Sequence, residues 1–422
     1  YGTSWLSVPS APVAGNAEQA ANVNVRDFGA HGDGVTKDTV AIQTAIDAVA
    51  SAGGGTVELS AGTYLTGSIF LKSNVDFHLG AGAVLKGSPD SADYNRADVC
   101  PQNYAPPRTG DNTSGGHLVL CIGQHNVGIR GPGKIDGNAD AFLLDAKGVR
   151  YPAQRAIPWR PGQMVWFVDS TDVRIQDVEF ANSPYWSCYV LNCTRVGIRG
   201  CYVHTERRRY HTFNGDGIDI DRSQHVMISD CRVDTADDCI TLRASRGERL
   251  AKPQDCAFVT VANCSLSSAC SALRPGVGEG VVRDCVLSNL VISDTRTAFN
   301  FVAAYAPTSR GPDICDIRIS DVRVAGAERF LKMHHMYSRV ALFRNIVFSG
   351  ISGAVRKSAC IYAHPDRPFE NIRFERCDVN GGVEVVNADV SFVDGSLSEI
   401  RLSDEKKAKI SQDVVKHKIL LW

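Results

Sequence analysis

Apolar and polar residues alternate in eight-residue blocks that return along most of the chain. One block reads Val-Arg-Ile-Gln-Asp-Val-Glu-Phe from Val173, and another reads Val-Met-Ile-Ser-Asp-Cys-Arg-Val from Val226. Further copies begin at Val196, Val259, Cys285, Ile317, Ala341 and Ile372, with a weaker one at Val127. From Val173 onward the starts are 23, 30, 33, 26, 32, 24 and 31 residues apart. Alternation of period two is a strand signal, and the central Asp, Asn or Gly marks where one strand turns into the next. A unit this short cannot bury its own apolar face, so the units must stack. A helical solenoid would need apolar residues three and four apart, and a leucine-rich repeat would need a leucine skeleton that is absent. The pattern predicts an all-β fold, a parallel β-helix, with loops of varying length leaving a constant core.

The ends read as caps. Asp38 is placed as a helix N-cap before Val40, Ala41, Ile42, Ala45, Ile46 and Val49, which form an apolar face at helical spacing. Gly53-Gly54-Gly55 then stops the helix. Such a helix would cover an end of the solenoid that otherwise offers unpaired strand edges. The expected division is an N-terminal extension over 1–24, the β-helix over 25–402 and a capping segment over 403–422.

Composition adds exclusions. With 45 Lys+Arg against 46 Asp+Glu in 422 residues the formal charge is −1, which argues against a nucleic-acid binder. No apolar run approaches the roughly 18 residues of a membrane span. The first residues lack the charged head and apolar core of a leader, which leaves export open, since a mature chain would look the same. The 14 cysteines form no Cys-x-x-Cys unit, so zinc-finger spacing fails. Cys201, Cys231, Cys264 and Cys377 share one local context, which suggests a stacked core column, with one or two disulfides left open elsewhere.

Two neighbouring repeats are dense in acids: Asn214-Gly-Asp-Gly-Ile-Asp219-Ile and Ala236-Asp-Asp-Cys-Ile-Thr-Leu242. Laying Ile218 on Ile240 and Ile220 on Leu242 sets Asp216 over Asp238, one coil apart, and Asp237 over Gly215. Stacked strands lie about 4.7–4.9 Å apart, so these carboxylates raise one another's pKa. One carboxyl held protonated and another ionised is what glycosidic cleavage requires. A solvated acidic turn and a calcium site are the competing readings.

These residues carry a resemblance. Asn-Gly-Asp-Gly-Ile-Asp followed by Asp-Asp-Cys-Ile resembles the paired acid motifs of glycoside hydrolase family 28, the polygalacturonases and rhamnogalacturonases. Val25-Arg-Asp-Phe-Gly-Ala-His-Gly-Asp-Gly, Arg160-Pro161 and Ser183-Pro-Tyr-Trp186 are similar to stretches of the same family. The resemblance implies a right-handed parallel β-helix that hydrolyses pectic backbones with inversion; no metal or cofactor is expected. It makes Asp237 the general acid and gives Asp216 and Asp238 the attacking water, with Asn214 orienting substrate or water.

Two family motifs are missing. Where the family carries Gly-His-Gly this chain has Ala269-Cys270-Ser271, and where it carries Arg-Ile-Lys the nearest stretch is Arg296-Thr-Ala-Phe-Asn300-Phe. Candidate replacements for the uronate clamp are Arg243, Arg274 and Arg296 beside the acids, and Arg208 with Tyr210 on the loop before Asn214. Ser271 is a further candidate contact, and Tyr185, Trp186 and Tyr305 are candidates to stack on sugar rings. The expected partner is a pectic polysaccharide or oligosaccharide met by a secreted or periplasmic monomer. A polysaccharide lyase or a non-catalytic carbohydrate-binding β-helix are the alternatives.

Overall fold

The computed structural model describes residues 21–96, 99, 114–153, 156–205, 214–247, 250–302, 310–335, 341–397, 400–402, 409–413 and 419–421. Short strands pair in parallel from coil to coil and wind as a right-handed parallel β-helix. The predicted alternation is the register itself. Val127, Val173, Val196, Val226 and Val259 are successive partners, each pointing into the core.

The central turn has a conformational cause. Asp177, Asp230, Asn263, Asn289 and Asp321 have φ of 56°, 58°, 57°, 52° and 55°, the left-handed region that Asp and Asn tolerate best. Gly200 and Gly350 fill the same place in their coils, at φ 65° and 62°. One residue further on, Cys201, Cys231, Cys264 and Cys377 occupy a single buried column, filled in the intervening coils by Leu290, Val322 and Ile351. All 13 described cysteines are free thiols, so no disulfide forms among the described residues, and the stacked-core reading holds for the four of this column.

One repeat was placed in the wrong register. Ile317 pairs with Ile346 rather than with Ala341, and Ile346 pairs with Ile372. The last three starts are therefore 29 and 26 residues apart. Asn345 imitates the mid-block turn, but its φ of 53° belongs to the turn before the strand, as at Asp316 and Asn371. The true mid-block turn is Gly350.

The helix Thr39–Ser51 packs Ile42, Ala45, Ile46 and Val49 onto the end of the core, while Val40 is exposed. Asp38 stands at the N-cap position but makes no capping bond. Its buried carboxylate accepts instead from His31 N (2.7 Å) and Gly32 N (3.0 Å), pinning the preceding turn. Among the described residues the stack begins at Ala21–Asn24, which pairs with Gly55–Leu59. At the other end Lys409–Asp413 and Ile419–Leu421 pair in parallel with earlier strands and extend the stack. No described helix is long and apolar enough to cross a membrane.

Candidate active site

Strand Ile218–Asp221 pairs with Ile240–Ala244 through Ile218–Ile240 and Ile220–Leu242. The turns ahead of both strands thereby meet. Gly217 N donates to Asp238 O (2.9 Å) and Asp237 N to Gly215 O (3.3 Å). A Cβ at Gly217 would lie 2.5 Å from Cys239 O, so only glycine lets the two acid turns approach this closely. Asp216 and Asp238 end up buried, and Asp237 is partly exposed. Asn214 is partly exposed in the left-handed region at φ 56°.

The acids are not bare. Arg274, opposite Thr241 in the next coil, places Nη1 2.9 Å from Asp238 Oδ2. Arg243 Nη1 lies 3.2 Å from Asp219 Oδ1 and its Nε 3.8 Å from Asp221 Oδ2, with the guanidinium 4.2 Å over the Trp186 ring. Thr241 Oγ1 also donates to Asp219, and Tyr189 OH donates to Asp221 at 2.8 Å. Both predicted clamps, Arg243 and Arg274, are thus nearly buried and spend their charge on buried aspartates.

Burial pushes the Asp216 carboxyl well above the usual carboxylate range, and the charges of Asp219, Asp237 and Asp238 push the same way. Burial raises Asp219 to about 7 against the pull of Arg243. Burial and then the Asp238 charge raise Asp237 to about 6, opposed by a hydrogen bond from the Cys270 thiol and by Arg274 and Arg296. A partly exposed carboxyl near 6 beside a buried, arginine-paired carboxylate is the environment split that separates acid from base roles.

The remaining predicted residues divide. Ser271 is fully buried and accepts from Asn300 Nδ2 (2.9 Å), so it holds Asn300 rather than lining a cleft. Arg296 is exposed, with Nη2 2.7 Å from Cys270 Sγ. Arg208, Tyr210 and Tyr305 lie outside the described residues. Trp186 is half-buried in parallel stacking with the buried Tyr185. Asp219, Asp221, Cys270 and Asn300 were missed. For the two aspartates the signal was visible, since they alternate with Ile218 and Ile220 and so must face outward. Cys270 stands in the stretch where the resemblance places a histidine.

Ligand atoms of Asp237, Asp238 and Cys270 lie within 4.8 Å of one another. Calcium takes 6–8 oxygen ligands. A donor set with a sulfur, and with guanidinium groups on both Asp238 and Cys270, does not fit it.

The outward positions change character on either side of the acids. Toward the N-terminus the column through Asp219 holds Tyr189, Trp166 and Leu120, and that through Asp221 holds Leu191 and Val168. These five pack with Leu250, from the segment after Ile240–Ala244, into a second apolar cluster in which no member is more than 9% exposed. Toward the C-terminus the first column is polar.

Residues 109–272 match the sequence profile described as glycosyl hydrolases family 28. The chain is 27% identical over 314 residues to an exo-poly-α-D-galacturonosidase of Dickeya chrysanthemi, covering 64% of this chain and 50% of that protein. It is 29% identical over 236 residues to a probable polygalacturonase of Vitis vinifera, covering 54% and 46%. The chain thus spans about half the length of the curated relatives it matches. In fold it is similar to a hyperthermoactive exopolygalacturonase from Thermotoga maritima, with a TM-score of 0.71 at 22% identity over 89% of this chain and 91% of that one. Both acid motifs lie inside the segment that matches glycosyl hydrolases family 28.

Proposed function

We propose that the protein is an inverting hydrolase that cleaves a galacturonan- or rhamnogalacturonan-type pectic chain from one end. The observation that carries this reading is the three-carboxylate arrangement of Asp216, Asp237 and Asp238 on adjacent coils. Asp237, with a carboxyl near 6, protonates the glycosidic oxygen. Asp238, steadied by Arg274, shares with Asp216 the water that attacks the opposite face of the sugar. The names of the relatives, an exo-poly-α-D-galacturonosidase and a probable polygalacturonase, support the substrate class.

Attack at a chain end follows from the packed face. A polymer bound in its middle needs an open groove on both sides of the cut. Here Leu120, Trp166 and Tyr189 fill the outward positions on the N-terminal side. Asp237 faces the opposite, polar side, where Cys270 and Arg296 stand, so the leaving chain runs toward later coils. The substrate is met outside the cell, which places the protein in a secreted or periplasmic setting, working as a monomer.

Purified protein with polygalacturonan, rhamnogalacturonan and xylogalacturonan, followed by reducing ends, viscosity and proton NMR, tests this. Short products with little early loss of viscosity and an inverted anomer are expected. Asp216→Asn, Asp237→Asn and Asp238→Asn should each remove turnover by several orders of magnitude. A retained anomer or an ultraviolet-absorbing unsaturated product rejects the mechanism, and a ladder of long products rejects chain-end attack.

A further inference from the structure

The family's ionic clamp is missing, and the two arginines nearest the acids are committed to aspartates, so the recognition of acidic sugar must come from elsewhere. The outward column through Thr241 continues to Arg274. Extending the Leu273–Phe299 pairing by one residue sets Asn300 over Arg274. Asn300 then pairs with Lys332, Lys332 with Cys360, and Cys360 with Glu384.

Two of these residues lack the partners their chemistry asks for. Asn300 is 8% exposed, and while its Nδ2 donates to Ser271, its buried Oδ1 has no hydrogen-bond partner. A buried acceptor left so is destabilising, and a ligand hydroxyl would satisfy it. Lys332 is half-buried and, among the described residues, makes no ion pair or hydrogen bond. The next carboxylate in the column, Glu384, lies two coils on and accepts from Tyr362 OH. A half-buried cation on this outward column, without a countercharge among the described residues, is a site for an anion.

We infer that Asn300 and Lys332 form an anionic-sugar subsite on the leaving side of the cut. Lys332 takes the carboxylate of the second sugar beyond the scissile bond, and Asn300 Oδ1 accepts from a ring hydroxyl of the same sugar. The placement follows from spacing. Three strand steps separate the coil of Thr241 from that of Lys332, about 14 Å. This puts Lys332 beyond the sugar next to Asp237 and Arg274. Glu384 then sets the limit of the subsite, because its charge opposes a further uronate. The inference rests on the pectic reading above and goes further by naming which sugar must be acidic and which residue reads it.

The test uses the full chain made inactive by Asp237→Asn, with trigalacturonate and its methyl ester titrated by calorimetry. Adding Lys332→Met should weaken trigalacturonate at least about tenfold, the size of one charge-assisted hydrogen bond. It should flatten the salt dependence of binding and leave the methyl ester unchanged. Lys332→Arg should keep most of the affinity. Unchanged trigalacturonate affinity in Lys332→Met, or an equal loss for acid and ester, overturns the subsite alone. Failure of the Asp237→Asn protein to bind trigalacturonate at all overturns the galacturonate reading together with it.

Discussion

Arg274 Nη1 lies 2.9 Å from Asp238 Oδ2 with both side chains only 6% exposed, so one arginine both completes the acid cluster and makes its burial tolerable. Removing one partner of a buried pair costs about 3–5 kcal/mol, because the other is left as an uncompensated charge, whereas replacing both is often neutral. Arg274→Ala should therefore lower stability by about that amount in urea melts and abolish turnover. Arg274→Met combined with Asp238→Asn should recover most of the stability and none of the activity. If the single and double variants melt alike, the pair is not coupled as the geometry requires.

The environment of Asp237 predicts a pH profile. A general acid works only while it holds its proton, so kcat/KM should fall as pH rises through about 6, the value to which burial and Asp238 raise this carboxyl. The Cys270 thiol donates to Asp237 and pulls that value down. Cys270→Ala removes the donor, so the alkaline limb should move to higher pH. A limb that stays in place or moves down would detach Cys270 from the acid.

The same shift has a stability side of opposite sign to a surface ion pair. Because the folded-state value of Asp237 is raised, the fold is favoured below the ordinary carboxylate range near 4. That advantage is lost as pH climbs through about 6. Asp237→Asn fixes the neutral form. It should match the parent in stability at pH 3.5 and exceed it at pH 7.5, by up to about 3 kcal/mol for a two-unit shift. Equal melting at both values would mean that the carboxyl is not desolvated as described.

Much of this site was legible because a β-helix converts sequence period into spatial neighbourhood. The pairing of Ile218 with Ile240 sufficed to bring Asp216 to Asp238. What was not legible depended on side-chain direction and competition. Arg243 and Arg274 looked like open clamps, since nothing in a linear sequence says that Asp219, Asp221 and Asp238 will reach them first. Lys332 does not stand out in the sequence because its coil carries no acid motif; only the lack of a countercharge among the described residues marks it. The repeat at Ala341 failed for a local reason. Asn345 and Gly350 both suit left-handed turns, and alternation alone did not tell one turn of the coil from the other.

The turn column offers a test that separates backbone conformation from side-chain contact. Asn263 sits at φ 57°, donates from Nδ2 to Asp230 Oδ1 at 3.1 Å and accepts from Asn289 Nδ2 at 2.7 Å. Alanine there meets the left-handed penalty of about 1–2 kcal/mol and also loses two exposed hydrogen bonds of about 0.5–1.5 kcal/mol each. Glycine loses the bonds but not the conformation, apart from its greater freedom when unfolded. In denaturant melts Asn263→Ala should therefore be less stable than Asn263→Gly by about 1 kcal/mol, with both below the parent. Turnover should be unchanged, because the turn lies on a different edge of the coil from Asp237. Were alanine and glycine equal, the recurring Asp, Asn and Gly would be there for their side-chain ladder alone, and the left-handed turn would not explain the sequence repeat.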